Sequence, residues 1–447
     1  MVQTAAILTQ KNIAFAAVVL FTIWLYSSTD DSRPQKFIWE VYHNGWNPLL
    51  KEDVFKSPPV DSEAIRDICS STKWNQSLIF TCDDNNGGIG KVRNSILNCV
   101  RYTIAAGGSL VMPKILEREM PDRMGESEPL ARRHGPKRHE LDYLFDVNHF
   151  YDSLGKSCPE LILIRKMDEK AGDNQRFSLL PETLFPDVPT SGLQHPEEWP
   201  QRLGDWIETK LAPGSVSEEK PIIIDLEHSF LHYPTHSDGH AVAHVFGNIL
   251  QFRSDVREIA TNALGTLVEW YDFSVNISRH GMLKPSFLGV HIDTENPLLE
   301  RRHEIDIEYS HYDALTRAYF DLSSNLQLPI VYAASGNLEE IEHFNLDATD
   351  LNIAVTFKED LLEENDLKKL HRLTYDQRSL VDYLVLTKAE SFAGIGHSPF
   401  SWNVALVREQ YGAVMEGVLD GDIWRDGMNT LFGVRPDYVE SSACMWS

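Results

Sequence analysis

Residues 77–113, SLIFTCDDNNGGIGKVRNSILNCVRYTIAAGGSLVMP, constrain the fold more than any other stretch. Residues 77–82 are mostly apolar and of strand length. A polar, Gly-rich turn follows at 83–90. Val92, Ile96, Cys99/Val100 and Thr103/Ile104 then recur at helical spacing. Gly107-Gly108 stops that helix, and residues 109–112 begin a second strand that Pro113 ends. Strand, loop, helix and strand in this order form the repeating unit of a parallel α/β sheet. A Gly-rich turn running into a helix start presents free N–H groups, which suits phosphate. A purely structural turn would look the same. The turn is not a P-loop, because no Gly-Lys-Ser/Thr ends it. Its glycines also miss the dinucleotide spacing.

The rest of the chain continues the α/β pattern. Residues 160–165 and 221–226 read as strands, as do 287–291, 328–334 and 352–357. Helical patterns cover 256–273, 309–326 and 359–370, and a helix at 379–386 leads into a strand at 391–395. Residues 141–154 read as a loop and short helix. Residues 116–140 are charged and broken by Pro and Gly, hence a loop; residues 166–219 are polar and Pro-rich, with Trp199 and Trp206 as core anchors. Two α/β regions separate near residue 275. The expected architecture is two facing Rossmann-like domains, 77–275 and 276–447, with a ligand cleft between them.

Ahead of these domains stand a short tail (1–11), an apolar segment (12–29) and a stem (30–76). Residues 13–26, IAFAAVVLFTIWLY, are apolar except for Thr22. With their flanks they suffice to span a thin membrane. Lys11 before the run and Asp30-Asp31 after it put the N-terminus in the cytosol and the bulk across the membrane. No small-x-small cleavage site follows, so an uncleaved type II signal-anchor in the Golgi or endoplasmic reticulum is preferred over a removed signal peptide. Sequons at Asn75 and Asn276 agree with a lumenal chain. Five cysteines, with no CxxC pair, allow one disulfide, such as Cys69 with Cys158. The formal net charge of −25 argues against a nucleic-acid partner.

His228, His232, His236, His240 and His244 recur every fourth residue. Pro234 and Gly239 interrupt any single helix there, so a metal-binding stripe is not expected. Residues 287–293, FLGVHID, form an apolar strand ending in His291 and Asp293 at a sheet's carboxyl edge, where α/β proteins bind ligands. Asp382 lies on a helix before the 391–395 strand. Ser398, Pro399, Phe400 and Ser401 then open a helix that reaches Arg408.

In this order these segments resemble the three motifs of the protein O-fucosyltransferase superfamily. Gly87, Gly88, Gly90 and Arg93, closed by Val111-Met112-Pro113, resemble the first motif; Lys91 stands where that family often has Asn. His291 matches the strand-ending His-x-Arg of the second, with Asp293 in place of Arg. Asp382, Ser398, Phe400 and Ser401 match the third, with Pro399 replacing a Ser. Residues 145–150, FDVNHF, also resemble a segment common there.

The resemblance implies a GT-B fold and an inverting, metal-independent glycosyltransferase. Its substrate would be a nucleotide-sugar donor, GDP-fucose above others, with no further cofactor. The donor phosphates would sit at residues 87–90 and 398–401, with Arg93 and Phe400 in the same binding set. Asp382 would contact the base or brace the pocket, and His291 and Asp293 would stand at the chemistry. Asp293 would repel a diphosphate unless a cation compensates, with Arg301, Arg302 and Lys358 as candidates. The acceptor could be a hydroxyl of a protein, a glycan or a small natural product. A catalytically silent binder of nucleotide or glycan is the alternative.

Overall fold

The computed structural model describes residues 52–118, 137–167, 175–189, 191–211, 216–229, 231–273, 281–293, 309, 311–416, 427–434 and 443–447. The apolar run at 13–26, Trp39, Trp46, Asn276, Arg301 and Arg302 lie outside these residues. No helix among the described residues is long and apolar enough to cross a membrane. Glu52–Ser447 forms one compact unit.

The first half contains, in chain order, α1 (Glu63–Ser71), β1 (Leu78–Thr81), α2 (Ile89–Ala106), β2 (Ser109–Val111), β3 (Ile115–Leu116) and β4 (Arg138–His139). It continues with α3 (Val147–Ser157), β5 (Leu163–Ile164), β6 (Arg176–Leu179), α4 (Trp199–Lys210), β7 (Ile222–Leu226), α5 (His240–Val245) and α6 (Ser254–Trp270). The second half holds β8 (Leu288–His291), α7 (Tyr312–Leu326), β9 (Ile330–Ala334), α8 (Leu338–Thr349), β10 (Ala354–Thr356) and α9 (Glu364–Arg372). It ends with α10 (Tyr375–Thr387), β11 (Ser391–Ile395), α11 (Pro399–Glu416) and β12 (Asn429–Phe432).

Each half builds a five-stranded sheet, ordered β5-β2-β1-β7-β6 in the first and β10-β9-β8-β11-β12 in the second. Every pairing within both sheets is parallel. The central strands are the most enclosed, as sheets covered on both faces require; β1, β8 and β11 are buried at every position. In each sheet the strand order reverses direction between two central neighbours: β1 and β7 in the first, β8 and β11 in the second. Ligands of open α/β sheets bind beyond the carboxyl ends of the strands at this point. The loops leaving β1, β8 and β11 carry the Gly-rich turn, Asp293 and His397-Ser398.

Helix α2 departs from its sequence reading. The pattern predicts one buried face, yet every residue from 92 to 104 is buried. The polar face is covered by residues 443–447. Asn94 bonds the Cys444 carbonyl and the Trp446 amide, each at 2.8 Å. Asn98 accepts the Trp446 indole N–H at 2.8 Å and donates to the Ser229 carbonyl at 2.9 Å. Asn403 of α11 donates to the Trp446 carbonyl at 3.0 Å. The C-terminal segment thus ties α2 of the first half to α11 of the second, and Trp446 is fully buried.

Elements not apparent in the sequence include α1, the β3–β4 pair, β6, α4, α5, α8 and β12. Helix α4 rises inside the polar, Pro-rich stretch because Trp199 and Trp206 anchor it. Trp199 is fully buried and donates to the Tyr102 carbonyl at 3.0 Å. Trp206 meets Phe177 of β6 edge-on. Cys69 and Cys158 form a disulfide, and Cys82 and Cys99 form a second that the sequence did not suggest.

Candidate functional site

The Gly-rich turn follows β1. Gly87 has φ 96°, a left-handed conformation that glycine adopts at little cost. Gly88 caps α2 with an ordinary extended backbone. The turn is stitched to the segment leading into β3. Asn85 donates its amide to the Cys82 and Lys114 carbonyls at 2.9 and 2.8 Å, and the Leu116 amide donates to the Asn85 carbonyl at 2.9 Å. Gly90 packs on the start of α11 so closely that a methyl group there would collide with the Pro399 carbonyl. The two regions that the first and third motifs pick out therefore touch, across the two halves.

His291 ends β8. Its Nδ1 lies 2.9 Å from Ser401 Oγ, which also accepts the Ile395 amide at 3.1 Å. The ring stacks on Phe400 with centroids 4.4 Å apart, and Tyr319 donates to the His291 carbonyl at 2.7 Å. Among the described residues no partner faces Nε2. Burial pulls the imidazole down to about 3, so it is neutral at physiological pH. Gly394 makes this support possible, since a side chain there would overlap Ser401. Ser401 and Phe400 thus act through His291, holding it while one nitrogen stays available.

Asp293 follows two residues on. Burial raises its carboxyl above the usual range, and His397 and Arg118 oppose that shift. Burial lowers the His397 imidazole. The cation beside Asp293 is Arg118, which follows β3, and none of the three candidates drawn from the sequence. Arg301 and Arg302 are outside the described residues. Lys358 is engaged by Asp382 at 2.8 Å. Burial alone would lower the Lys358 ammonium, but Asp382 and Glu359 hold it above its ordinary value.

Two residues from the motifs are engaged away from the junction. Arg93 is buried, and its guanidinium donates to the carbonyls of Trp446, Gly247 and Ser447 at 2.6, 2.9 and 2.7 Å. It anchors the C-terminal segment, so its guanidinium is engaged with main chain and not with the donor set in which the resemblance puts it. Asp382 accepts from Lys358 and, at 2.8 Å, from the Tyr332 hydroxyl, entirely within the second half. Arg408, where the third motif ends, is likewise structural and donates to the carbonyls of Ala389 and Met428 at 2.6 and 2.9 Å. In the 145–150 segment, Asp146 caps α3 and His149 bonds the Asn248 carbonyl at 2.9 Å.

Sequence reasoning missed the polar groups brought in from other elements. Arg118 and Lys91 flank the turn. The Lys91 side chain folds over Gly87, and burial together with Arg118 lowers its ammonium. Asp225, at the end of β7, accepts from Thr81 at 2.7 Å, and burial raises its carboxyl. The histidine series does not converge. His240 and His244 stack at 3.8 Å on α5. Among the described residues, the one cluster with metal-ligand spacing is Cys69, Cys158 and Glu160, whose cysteines are tied up in the disulfide.

No protein-family model matches the chain, and no curated protein matches it by sequence. Solved structures do align with it. POFUT1 in complex with GDP-fucose shares 14% identity, covering 76% of this chain and 96% of its own, at a TM-score of 0.43. NodZ alpha-1,6-fucosyltransferase soaked with GDP-fucose shares 12%, over 74% and 93%, at 0.36. A mutant of Arabidopsis thaliana FUT1 in complex with GDP shares 10%, over 77% and 71%, at 0.35. These are fucosyltransferases, the kind of protein that the three motifs resemble.

Proposed function

We propose that this protein is a glycosyltransferase of GT-B type, moving a sugar from a nucleotide-sugar donor, GDP-fucose first among them, to a hydroxyl acceptor with inversion. The observation that carries the reading is the contact of Gly90 with Pro399. It brings the Gly-rich turn beyond β1 against the helix start beyond β11, beside His291 and Asp293. Two helix N-termini and a neutral imidazole with one open nitrogen suit a diphosphate. In the transfer, the bond from the sugar's anomeric carbon to the diphosphate oxygen breaks and its electron pair leaves with the diphosphate. The acceptor oxygen bonds that carbon from the opposite face and loses its proton to a carboxylate. Asp293 is assigned that proton, because burial favours its protonated form. His291 hydrogen-bonds the donor through Nε2.

The acceptor is a hydroxyl of a protein, a glycan or a small molecule. The apolar run at 13–26 with its flanking charges, and two disulfides of the kind found in oxidising compartments, support a type II anchor in the Golgi or endoplasmic reticulum membrane. A second reading, a silent nucleotide- or glycan-binding relative, is favoured by Asp293 standing where the motif has a cation. A hydrolysis panel across GDP- and UDP-sugars separates them. Release of GDP from GDP-fucose supports the transferase. Binding without turnover of any donor supports the silent relative, and no binding of any nucleotide sugar overturns both.

A further inference from the structure

We propose that Arg118 is the cation that holds the donor diphosphate, supplying from the first half the positive charge that position 293 lacks. The proposal rests on the donor-site reading above and adds a residue that none of the three motifs contains.

The geometry fixes one side of the Arg118 guanidinium and leaves the other open. Nε donates to Asp376 Oδ1 at 2.5 Å, and the Arg118 backbone amide donates to Asp376 Oδ2 at 3.0 Å. Tyr375 lies under the guanidinium, 5.0 Å from ring centroid to Cζ. Asp376 is itself held in the first turn of α10, where Tyr143 approaches it at 3.4 Å and bonds Thr374 at 2.8 Å. The two terminal nitrogens have no hydrogen-bond partner among the described residues. One of them lies 3.4 Å from where a Cβ on Gly88 would stand, directly over the Gly-rich turn. The side chain is about a third exposed.

The charge around the turn points the same way. Lys91 folds over Gly87 while Arg118 sits over Gly88, and each cation feels the other. Positive charge beside a helix N-terminus favours an anion there. Asp376 accounts for part of the Arg118 charge. Its role is to aim the fork, because a planar guanidinium bound at Nε must direct its terminal nitrogens outward. Asp293 on the far side is the other carboxylate that feels Arg118. The arrangement divides the work: Arg118 meets the diphosphate while Asp293 is left for the acceptor proton. Arg118 also connects the β3–β4 hairpin with α10, so a ligand held by it bears on both halves.

The test is calorimetric titration of the full chain and of Arg118→Gln and Arg118→Lys. The probes are GDP and UDP, their nucleosides guanosine and uridine, and inorganic pyrophosphate. Thermal melting of each variant reports folding. Gln can still donate to Asp376, which separates loss of the fork from loss of the fold. The expected result is a 10- to 100-fold weaker affinity of Arg118→Gln for the preferred nucleoside diphosphate. Its nucleoside should change less than twofold, and Arg118→Lys should be intermediate. Equal losses for diphosphate and nucleoside would make Arg118 a structural link only, and unchanged diphosphate affinity would overturn the proposal; either leaves the transferase reading standing. A parent chain that binds no nucleoside diphosphate overturns both.

Discussion

The two switch points do different work with different materials. Beyond β1 the first half offers backbone: glycines, a helix start and two long cations, Lys91 and Arg118. Beyond β8 and β11 the second half offers side chains held on every side. His291 is fixed by Ser401, Phe400 and Tyr319, and Asp382 by Lys358 and Tyr332. An edge built of backbone and flexible cations adapts to a diphosphate. An edge built of locked side chains holds a reacting centre in one geometry, which catalysis requires. On the proposed reading, the same sheet topology carries a binding edge and a chemical edge.

Variants can break this contrast in order of size. Asp382→Leu should be the most damaging to the fold. It leaves the buried Lys358 ammonium with Glu359, 3.6 Å away, in place of its closer partner, a loss of about 3 kcal/mol, read as a fall in denaturation midpoint. His291→Ala should lower transfer or donor hydrolysis by about 10²–10³-fold, the range for removing one preorganised donor. Stability measured in parallel should stay well above that of Asp382→Leu. Equal turnover in parent and variant would move the chemistry elsewhere.

On the first edge, Gly90→Ala should cost about 1–3 kcal/mol through overpacking against Pro399, together with nucleotide affinity. Gly88→Asp separates binding from folding. Gly88 has an ordinary φ of −68°, so the melting temperature should hold. The new carboxylate would meet Arg118 and weaken GDP binding by about tenfold or more, roughly 1.4 kcal/mol. Unchanged affinity for every nucleotide the parent binds would return the turn to a structural role.

A last effect is on pH dependence. The folded His291 titrates near 3 against an ordinary 6.5. The unfolded chain therefore takes up a proton that the folded chain refuses. Stability from this group is complete above about pH 6.5 and is lost as pH falls toward 3. Denaturant melts of His291→Gln should show a shallower acid decline than the parent.

The residues that could be read in advance were those whose signal is local. Apolar runs bounded by Gly and Pro marked β1, β7, β8 and β11, and spacing marked α2 and α10. Motif resemblance led us to expect both the Gly-rich turn and residues 398–401 at the donor phosphates; the direct packing of Gly90 on Pro399 was not expected, and spacing alone would not have supplied it. Arg118 lies in a charged stretch, 116–140, whose Arg and His density could face an anionic ligand but more often marks a solvated loop; the pairing of β3 with β4 and the docking on Asp376 bring it over Gly88. Arg93 and the asparagines of α2 read as a polar face because their partners, residues 443–447, lie more than 300 positions away. Long-range main-chain acceptors leave no periodic trace in a sequence.

The central claim is that both edges grip one donor. Hydrogen exchange of the full chain with and without saturating GDP-fucose tests it most directly. The account predicts slowed exchange at residues 83–91 and 396–403 together, at the same ligand concentration, with β6 and β12 unchanged. Protection of one segment without the other, or of neither, would contradict it.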